Sequence, residues 1–487
     1  MINLYKSVLF RYIFFREINT KNATPFSRRL LFSVVFLSLC MVSFQSAFAQ
    51  MYEVSFVDKM QEATLVVEAK VIQKQSYWND ENTRIYTANE IEIYKVFKGQ
   101  LPSGNYQIIT QGGTVGNTRL EVCPSLQLSV GEIGVFLLES STANLSVVNG
   151  LKFSPISERQ GFYKYDEISG KAVSPFDYNQ TVNQLHTAIQ VQTNQSFIQN
   201  IPYSFSTISF SESGIAPQIT GINPTSLNGG VGDVLTITGS GFGISLLTSK
   251  VQLYNADLGP GVVWEDITTF ITWNDSVIEL EVPNKGDNGA TVGSGNVQVI
   301  TLLGSNISSQ VLTINYSHSN VQGDETQHMD ENGLGGYTFT FNNAFETTIA
   351  GSEAAFTRAL ETWRCATRIN WNIDAGTTTT STNANDGENV VTYVTTISSL
   401  ATTYSWYSDC GGNAWYVTEM DIEFLSIMPW HTDTTMPTGG QADLESVALH
   451  ELGHAHQLGH VRDQSDPLYW SIAFGSIGRT LLQNNID

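Results

Sequence analysis

The sequence predicts a multidomain chain. A β-rich N-terminal module is followed by a second β module and a C-terminal α+β domain. Three observations predict this. At 487 residues, two to four domains are expected, each large enough to bury a core. Only 14 % of residues are charged, and Gly, Thr, Ser and Asn are abundant, a composition of strands and turns rather than helical bundles. Alternation of apolar and polar residues recurs along the chain, whereas helical spacing is confined to a few stretches.

The first element is a leader, residues 1–49. Arg28 and Arg29 precede an apolar run from Leu30 to Phe44, too short for a comfortable membrane span, and Ala47-Phe48-Ala49 supplies a small-x-small cleavage site before Gln50. It reads as a secretory signal peptide. The chain is then a secreted, extracellular protein, with the periplasm or the cell surface as related destinations, and not an integral membrane protein. The formal net charge is −22, and residues 1–50 carry six Lys or Arg against one Glu, so the remainder is more acidic still. Such a surface repels nucleic acid and anionic membrane, which excludes both as partners. It would suit Ca²⁺, although acidity alone does not establish that ion.

Residues 50–193 form the β-rich module. Alternation is visible from Thr64 to Val71 and again from Asn89 to Val96, with turns at Lys98-Gly99, Pro102-Ser103-Gly104 and Gln111-Gly112-Gly113. A helix from about Thr181 to Val191 closes the module. The arrangement resembles a small β-barrel found ahead of secreted bacterial peptidases. Residues 194–216 are rich in Ser, Asn and Gln without sustained period and read as a linker.

Residues 217–316 open with Pro217-Gln218-Ile219-Thr220-Gly221-Ile222-Asn223-Pro224. Val234, Thr236 and Thr238 then alternate with Leu235 and Ile237, the pattern of a strand with one buried face, between glycine turns at Gly232 and Gly239-Ser240-Gly241. Val297–Thr301 and Val311–Ile314 are the last strands. The segment resembles an IPT/TIG domain, an immunoglobulin-like β-sandwich. The resemblance implies either a spacer or a module that binds a carbohydrate or protein ligand, and the lack of an aromatic or charged cluster favours the spacer. Residues 317–335 read as a second linker; His318 and His328 lie there and are left out of any site.

Residues 336–487 form the α+β domain. Tyr337–Phe341 alternates as a strand. Ser352 is placed to cap a helix whose apolar face is Phe356, Leu360 and Trp363. Trp371-Asn372-Ile373 resumes strand character, Thr377–Asn389 is a polar loop whose Asn385-Asp386-Gly387-Glu388 reads as a turn ahead of a Ca²⁺ site, and Met420–Phe424 is a further strand. Asp443 caps a last helix, with Leu444, Val447 and Ala448 facing the core.

That helix carries His450-Glu451-Leu452-Gly453-His454-Ala455-His456-Gln457-Leu458-Gly459-His460. His450 and His454 lie one turn apart on one face, a bidentate seat for a nitrogen-loving metal. Glu451 follows about 100° round the helix, where its carboxylate reaches a metal's water. His460 can join them only if the helix ends and the chain turns back, because six further residues would carry it about 9 Å along the axis. Four of the eight histidines fall within this stretch, which argues against a helix of scattered surface histidines. Three imidazoles with one open position suit a catalytic rather than a structural zinc.

The stretch resembles the metzincin zinc peptidases, whose motif is HExxHxxGxxH, the matrixins above all. The resemblance implies one catalytic Zn²⁺ on His450, His454 and His460, with Glu451 as general base toward a protein or peptide substrate. Gln457 stands where that family has Gly, so either Gln457 adopts the left-handed conformation, at roughly 1 kcal/mol, or the turn moves to Gly459. The order of strand, helix, strands, edge strand and zinc helix also fits, with Met420–Phe424 as the edge strand above the cleft. Metzincins place a Met in a turn beneath the zinc; here Leu468 occupies that stretch, and Tyr469 is a weak candidate for contact with substrate or transition state. Cys365 and Cys410 share this domain and are paired as a disulfide. Cys123 is left over. It reads as a plain buried or free thiol ahead of a metal-blocking thiolate of the matrixin propeptide kind, because Glu121–Ser125 lacks that pattern. The chain thus reads as a secreted zinc metalloendopeptidase. The alternative is a non-catalytic adhesion or binding protein with a degenerate peptidase domain, for which Gln457 and the missing Met speak.

Overall fold

A computed structural model describes residues 52–207, 215–246, 248–258, 261, 263–380, 383–409 and 414–486. The expected signal peptide and Cys410 lie outside them. The chain is β-rich and built on several sheets. Among the described residues no helix is long and apolar enough to cross a membrane.

After a short helix, α1 (Phe56–Glu62), come β1 (Leu65–Trp78), β2 (Ile85–Lys98), β3 (Tyr106–Gln111), β4 (Gly113–Val115), β5 (Thr118–Cys123), β6 (Ile133–Ser140), β7 (Leu151–Pro155), β8 (Phe162–Tyr165) and β9 (Ala172–Val173). β1 pairs with both β2 and β6, so the order β1-β2-β3-β7-β6 closes on itself as a barrel. The alternation that predicted β1 is real: Leu65, Val67, Ala69 and Val71 fill one core with Ile91, Ile93 and Phe136. Helix α2 (Val182–Thr193) closes the other side through Val182, Leu185 and Ile189, and Thr181 caps it with a reciprocal bond to Gln184. Part of the expected first linker is ordered, because β10 (Ile198–Gln199) pairs with β2. The hairpin β4–β5 departs from the expectation more sharply. It leaves the barrel and joins the C-terminal sheet.

The second module is a sandwich. One sheet is β11 (Gln218–Asn223), β13 (Val234–Ser240), β17 (Val277–Glu281) and β16 (Thr272–Trp273); the other is β12 (Ser226–Gly229), β19 (Gly304–Ser317), β18 (Val292–Thr301), β14 (Lys250–Asn255) and β15 (Trp264–Ile267). Leu235 and Ile237 of β13 are fully buried against Val251, Leu253, Val297 and Val299, while Val234 faces out, as the period-2 pattern requires.

The C-terminal domain rests on a sheet ordered β23 (Asn372–Thr378), β22 (Thr338–Asn342), β24 (Asn389–Val394), β26 (Trp415–Leu425), β25 (Ala401–Asp409), then β5 and β4. In the expected second linker, β20 (Asn320–Val321) and β21 (Asp324–His328) form a hairpin, and β21 pairs with β26. Helices α3 (Ser352–Thr367) and α4 (Leu444–Ala455) share one core. Phe356, Leu360 and Trp363 of α3 meet Leu444, Val447 and Ala448 of α4 over Phe339, Val391 and Ile422. Trp363 also donates its indole N–H to Leu449 O at 2.8 Å.

Two expectations are corrected here. Met420–Phe424 is not at the edge, because β26 lies between β24 and β25; β25 is the strand beside the histidines. Ser352 is the first helical residue, not the cap, which is Gly351 with φ +86°; the Ser352 hydroxyl turns back to Ile349 O. Of the expected Cys365–Cys410 pair, Cys365 is exposed at the end of α3, and Cys410 lies outside the described residues.

Candidate metal centre

Helix α4 starts where Asp443 accepts a hydrogen bond from Ser446 N at 3.0 Å, the expected cap. Its apolar side goes to the core, and the spacing of four then brings His450 Nε2 to 3.0 Å from His454 Nε2. The helix ends after Ala455 in a Schellman motif: Leu458 N donates to Gly453 O at 3.0 Å and Gln457 N to His454 O at 2.8 Å. Gln457 holds the left-handed position at φ +70°. The turn is therefore made at Gln457 and not at Gly459. Its side chain offsets the strain, since Gln457 Oε1 accepts from Tyr407 Oη at 2.5 Å and Nε2 donates to Ala455 O at 3.0 Å. The chain reverses and His460 returns, its ring centroid 5.4 Å from His450 and 4.9 Å from His454.

The protons on these rings follow from their partners. His450 Nδ1 faces Pro467 O at 2.6 Å, His454 Nδ1 faces Leu458 O at 2.8 Å, and His460 Nδ1 faces Asp257 Oδ1 at 2.8 Å. A carbonyl or carboxylate oxygen only accepts, so each Nδ1 carries the proton and each neutral ring has a lone pair at Nε2. Burial, then the neighbouring His454 and His460, hold His450 well below the usual imidazole range. Burial lowers His460 to about 4 against the opposing pull of Asp257. With both rings neutral, His450 Nε2 and His454 Nε2 face each other as two acceptors, an arrangement a bound cation satisfies.

Two further residues complete the cluster, each from another module. Cys123, at the end of β5, places Sγ 3.5 Å from His454 Nε2. Cys123, His454 and His460 put one ligand atom each within 4.8 Å of one another, a group able to hold a metal ion. Burial, followed by the nearby Asp257 charge, pushes the Cys123 thiol up, so a cation would be needed to favour its thiolate. β5 runs antiparallel to β25, with Thr118–Cys123 opposite Ser408–Thr403. Leu120 and Val122 are buried with Tyr404 and Trp406. Glu121 is paired to Lys285 of the sandwich. The remaining void beside Cys123 and His454 is about 30 Å³ and is lined also by Thr403, Tyr407 and Gly459; that is water-sized, not peptide-sized.

Asp257 comes from the loop after β14. Besides His460, it accepts from Arg159 Nη2 of the barrel at 2.7 Å and from Thr291 N at 3.0 Å. Burial alone would raise its carboxyl, but the Arg159 charge and the hydrogen bonds from His460 and Arg159 hold it well below the usual range.

Glu451 is fully buried. Its Oε2 accepts from Thr403 Oγ1 at 2.6 Å, and Thr403 is the residue paired with Cys123. Leu468 packs against the helix: a Cβ on Gly453 would stand 2.3 Å from Leu468 Cδ2, so Gly453 permits that close approach. Tyr469 packs its ring against Trp470, centroids 6.2 Å apart, and among the described residues its hydroxyl bonds none of the histidines. His328, set aside in the sequence, is half-buried and meets His456 edge to face, ring centroids 6.1 Å apart. Asp386 and Gly387 donate their N–H groups to Glu419 Oε2, which makes Asn385–Glu388 a turn tied to β26.

Sequence reasoning brought His450, Glu451, His454, His460 and Leu468 together and missed β25, the seat of Cys123, and Asp257. For β25 a signal existed, the alternation of Thr403, Ser405 and Tyr407 with Tyr404 and Trp406. For Asp257 none did. In comparisons with known proteins, no family model and no curated protein matches the chain.

Proposed function

We propose that this chain is the latent form of a secreted zinc-dependent endopeptidase that hydrolyses peptide bonds of proteins. The observation that carries the reading is the clustering of the His450, His454 and His460 rings, centroids 4.7, 5.4 and 4.9 Å apart, with the buried Glu451 carboxylate, on the helix of His450 and His454, oriented by Thr403. The donor set of imidazoles and one thiol suits zinc rather than Mg²⁺ or Ca²⁺. Held by His450, His454 and His460, zinc would supply Lewis acidity toward a carbonyl and lower the pKa of a water to about 7.

The chain's own residues do the rest. Thr403 fixes Glu451, whose charge bears on the Cys123 sulfur. A water that takes the place of that sulfur lies beside a carboxylate able to accept its proton and deliver it to a leaving amine. The edge of β25 is where an extended substrate adds by main-chain pairing. In the folded chain β5 holds that edge and Cys123 the fourth ligand position. Activation then means removal of β5.

A second reading is favoured by the same Cys123. Four filled positions describe a structural metal that ties modules together, in a non-catalytic binding protein. The deciding experiment is cleavage of unfolded casein by zinc-loaded protein, intact and after limited proteolysis of its N-terminal module. Chelator-sensitive cleavage should appear after nicking and fall at least ~10²-fold in Glu451→Gln, which keeps its zinc. Cys123→Ala should also keep zinc, on three histidines. Absence of cleavage together with zinc loss in Cys123→Ala would establish the structural reading instead.

A further inference from the structure

We propose that the sandwich module is half of the metal centre, not a spacer, and that Asp257 is the positioning residue that holds His460 toward the metal. The proposal rests on the reading of the histidine cluster as a metal centre. It implies that the active unit retains residues 217–487 together, whatever becomes of the barrel.

Three independent contacts carry it. Asp257 Oδ1 takes the Nδ1 proton of His460 at 2.8 Å, both side chains being 3 % exposed. A carboxylate on the far nitrogen fixes the tautomer and the ring plane and raises the basicity of the metal-facing nitrogen. His450 and His454 receive only backbone carbonyls there, so His460 alone carries a charged support. Second, the end of the last sandwich strand and the residues just after it grip the turn that returns His460: Gly459 N donates to Ser317 O at 2.7 Å and Ser319 N to Gln457 O at 2.7 Å. Third, a Cβ on Gly459 would stand 2.9 Å from Thr291 Cγ2. Gly459 is thus explained by the approach of the sandwich and not by the turn, which Gln457 makes. Beyond His460, Arg462 bonds Asn255 O and Gly261 O and lies 4.5 Å over the Tyr254 ring. The third ligand belongs to a C-terminal loop whose conformation the sandwich imposes.

Arg159 makes the idea separable from a plain buried ion pair. It holds the other oxygen of Asp257 but comes from the barrel, and among the described residues its hydrogen bonds go to Asp257 and Ser125 O, not to a histidine. If Asp257 matters only as an ion-pair partner, loss of either member should act alike.

The test measures zinc affinity of the full-length protein by competition with a colorimetric chelator, with melting temperatures of the metal-free forms. Asp257→Ala should bind zinc about 10–100-fold more weakly than wild type. Asp257→Asn keeps an oxygen for the Nδ1 proton and should recover part of that loss; it also decides the matter if the alanine variant does not fold. Arg159→Gln should lower the metal-free melting temperature yet hold zinc within a few-fold of wild type. Equal zinc affinity in wild type and both Asp257 variants overturns the proposal, as does an equal loss in Arg159→Gln. A wild type that binds no zinc overturns the metal-centre reading itself, a result distinct from either.

Discussion

Two modules reach the same histidine cluster, one at a ring's Nε2 and the other at a ring's Nδ1. The barrel brings Cys123 to Nε2 of His454, and the sandwich brings Asp257 to Nδ1 of His460. The difference is chemical. A group at Nε2 occupies the metal's side and competes with water or substrate; a group at Nδ1 lies behind the ring and strengthens it as a ligand. The mountings differ too. Cys123 hangs from a two-strand ribbon that has left its own barrel, held by edge pairing to β25 and one small apolar cluster. Asp257 sits in a loop of a module with its own core and is held by Arg159 and a backbone amide. A removable blocker and a fixed support are what those mountings suit.

The largest way to break the comparison is to eject β5 while leaving the sandwich in place. Leu120 is 2 % exposed between Ile85, Tyr404 and Trp406. Leu120→Asp would bury a carboxylate without a partner, at a cost of several kcal/mol, so the strand should leave the edge. Labelling of Cys123 by a thiol reagent, taken as the difference from a Cys123→Ala control in a Cys365→Ser background, should accelerate at least ~100-fold, and casein cleavage should begin without nicking. Unchanged labelling in a folded variant would mean that the ribbon is no removable blocker.

A smaller effect sharpens the role of the turn that both modules meet. Gln457→Ala keeps the left-handed strain but removes the acceptor for Tyr407 Oη. A loss of about 1 kcal/mol is expected, read by denaturant midpoint at unchanged m. A gain in stability would show that the side chain contributes nothing to offset the strain.

A pH-dependent effect probes the sandwich beside the barrel. Burial pushes the Glu265 carboxyl up to about 8, against the partial pull of Lys164 from the barrel. Its unfolded value is about 4.3. Between these the folded form keeps a proton that the unfolded form has lost, so this group's contribution falls as pH rises through that window. Glu265→Gln, which still offers an oxygen to Asn255 Nδ2, should therefore raise the melting temperature at pH 8 more than at pH 5. An equal change at both values would assign the effect to packing alone.

What the sequence determined by itself is local. The spacing of His450 and His454, the Asp443 cap and the buried face of β13 all follow from local signals that act over a few residues, whereas the choice of Gln457 over Gly459 for the turn came from the structure. The return of His460 was legible because a helix six residues longer could not deliver it. The rest was decided by partners far along the chain: Cys123 meets His454 across 331 positions and Asp257 meets His460 across 203. Period 2 tells which face of a strand is buried but not which strand lies beside it. Thr118–Cys123 therefore read as part of the barrel and Met420–Phe424 as an edge. A single Asp in a loop has no period at all, and only the packing of the sandwich against the His460 loop gave it a role.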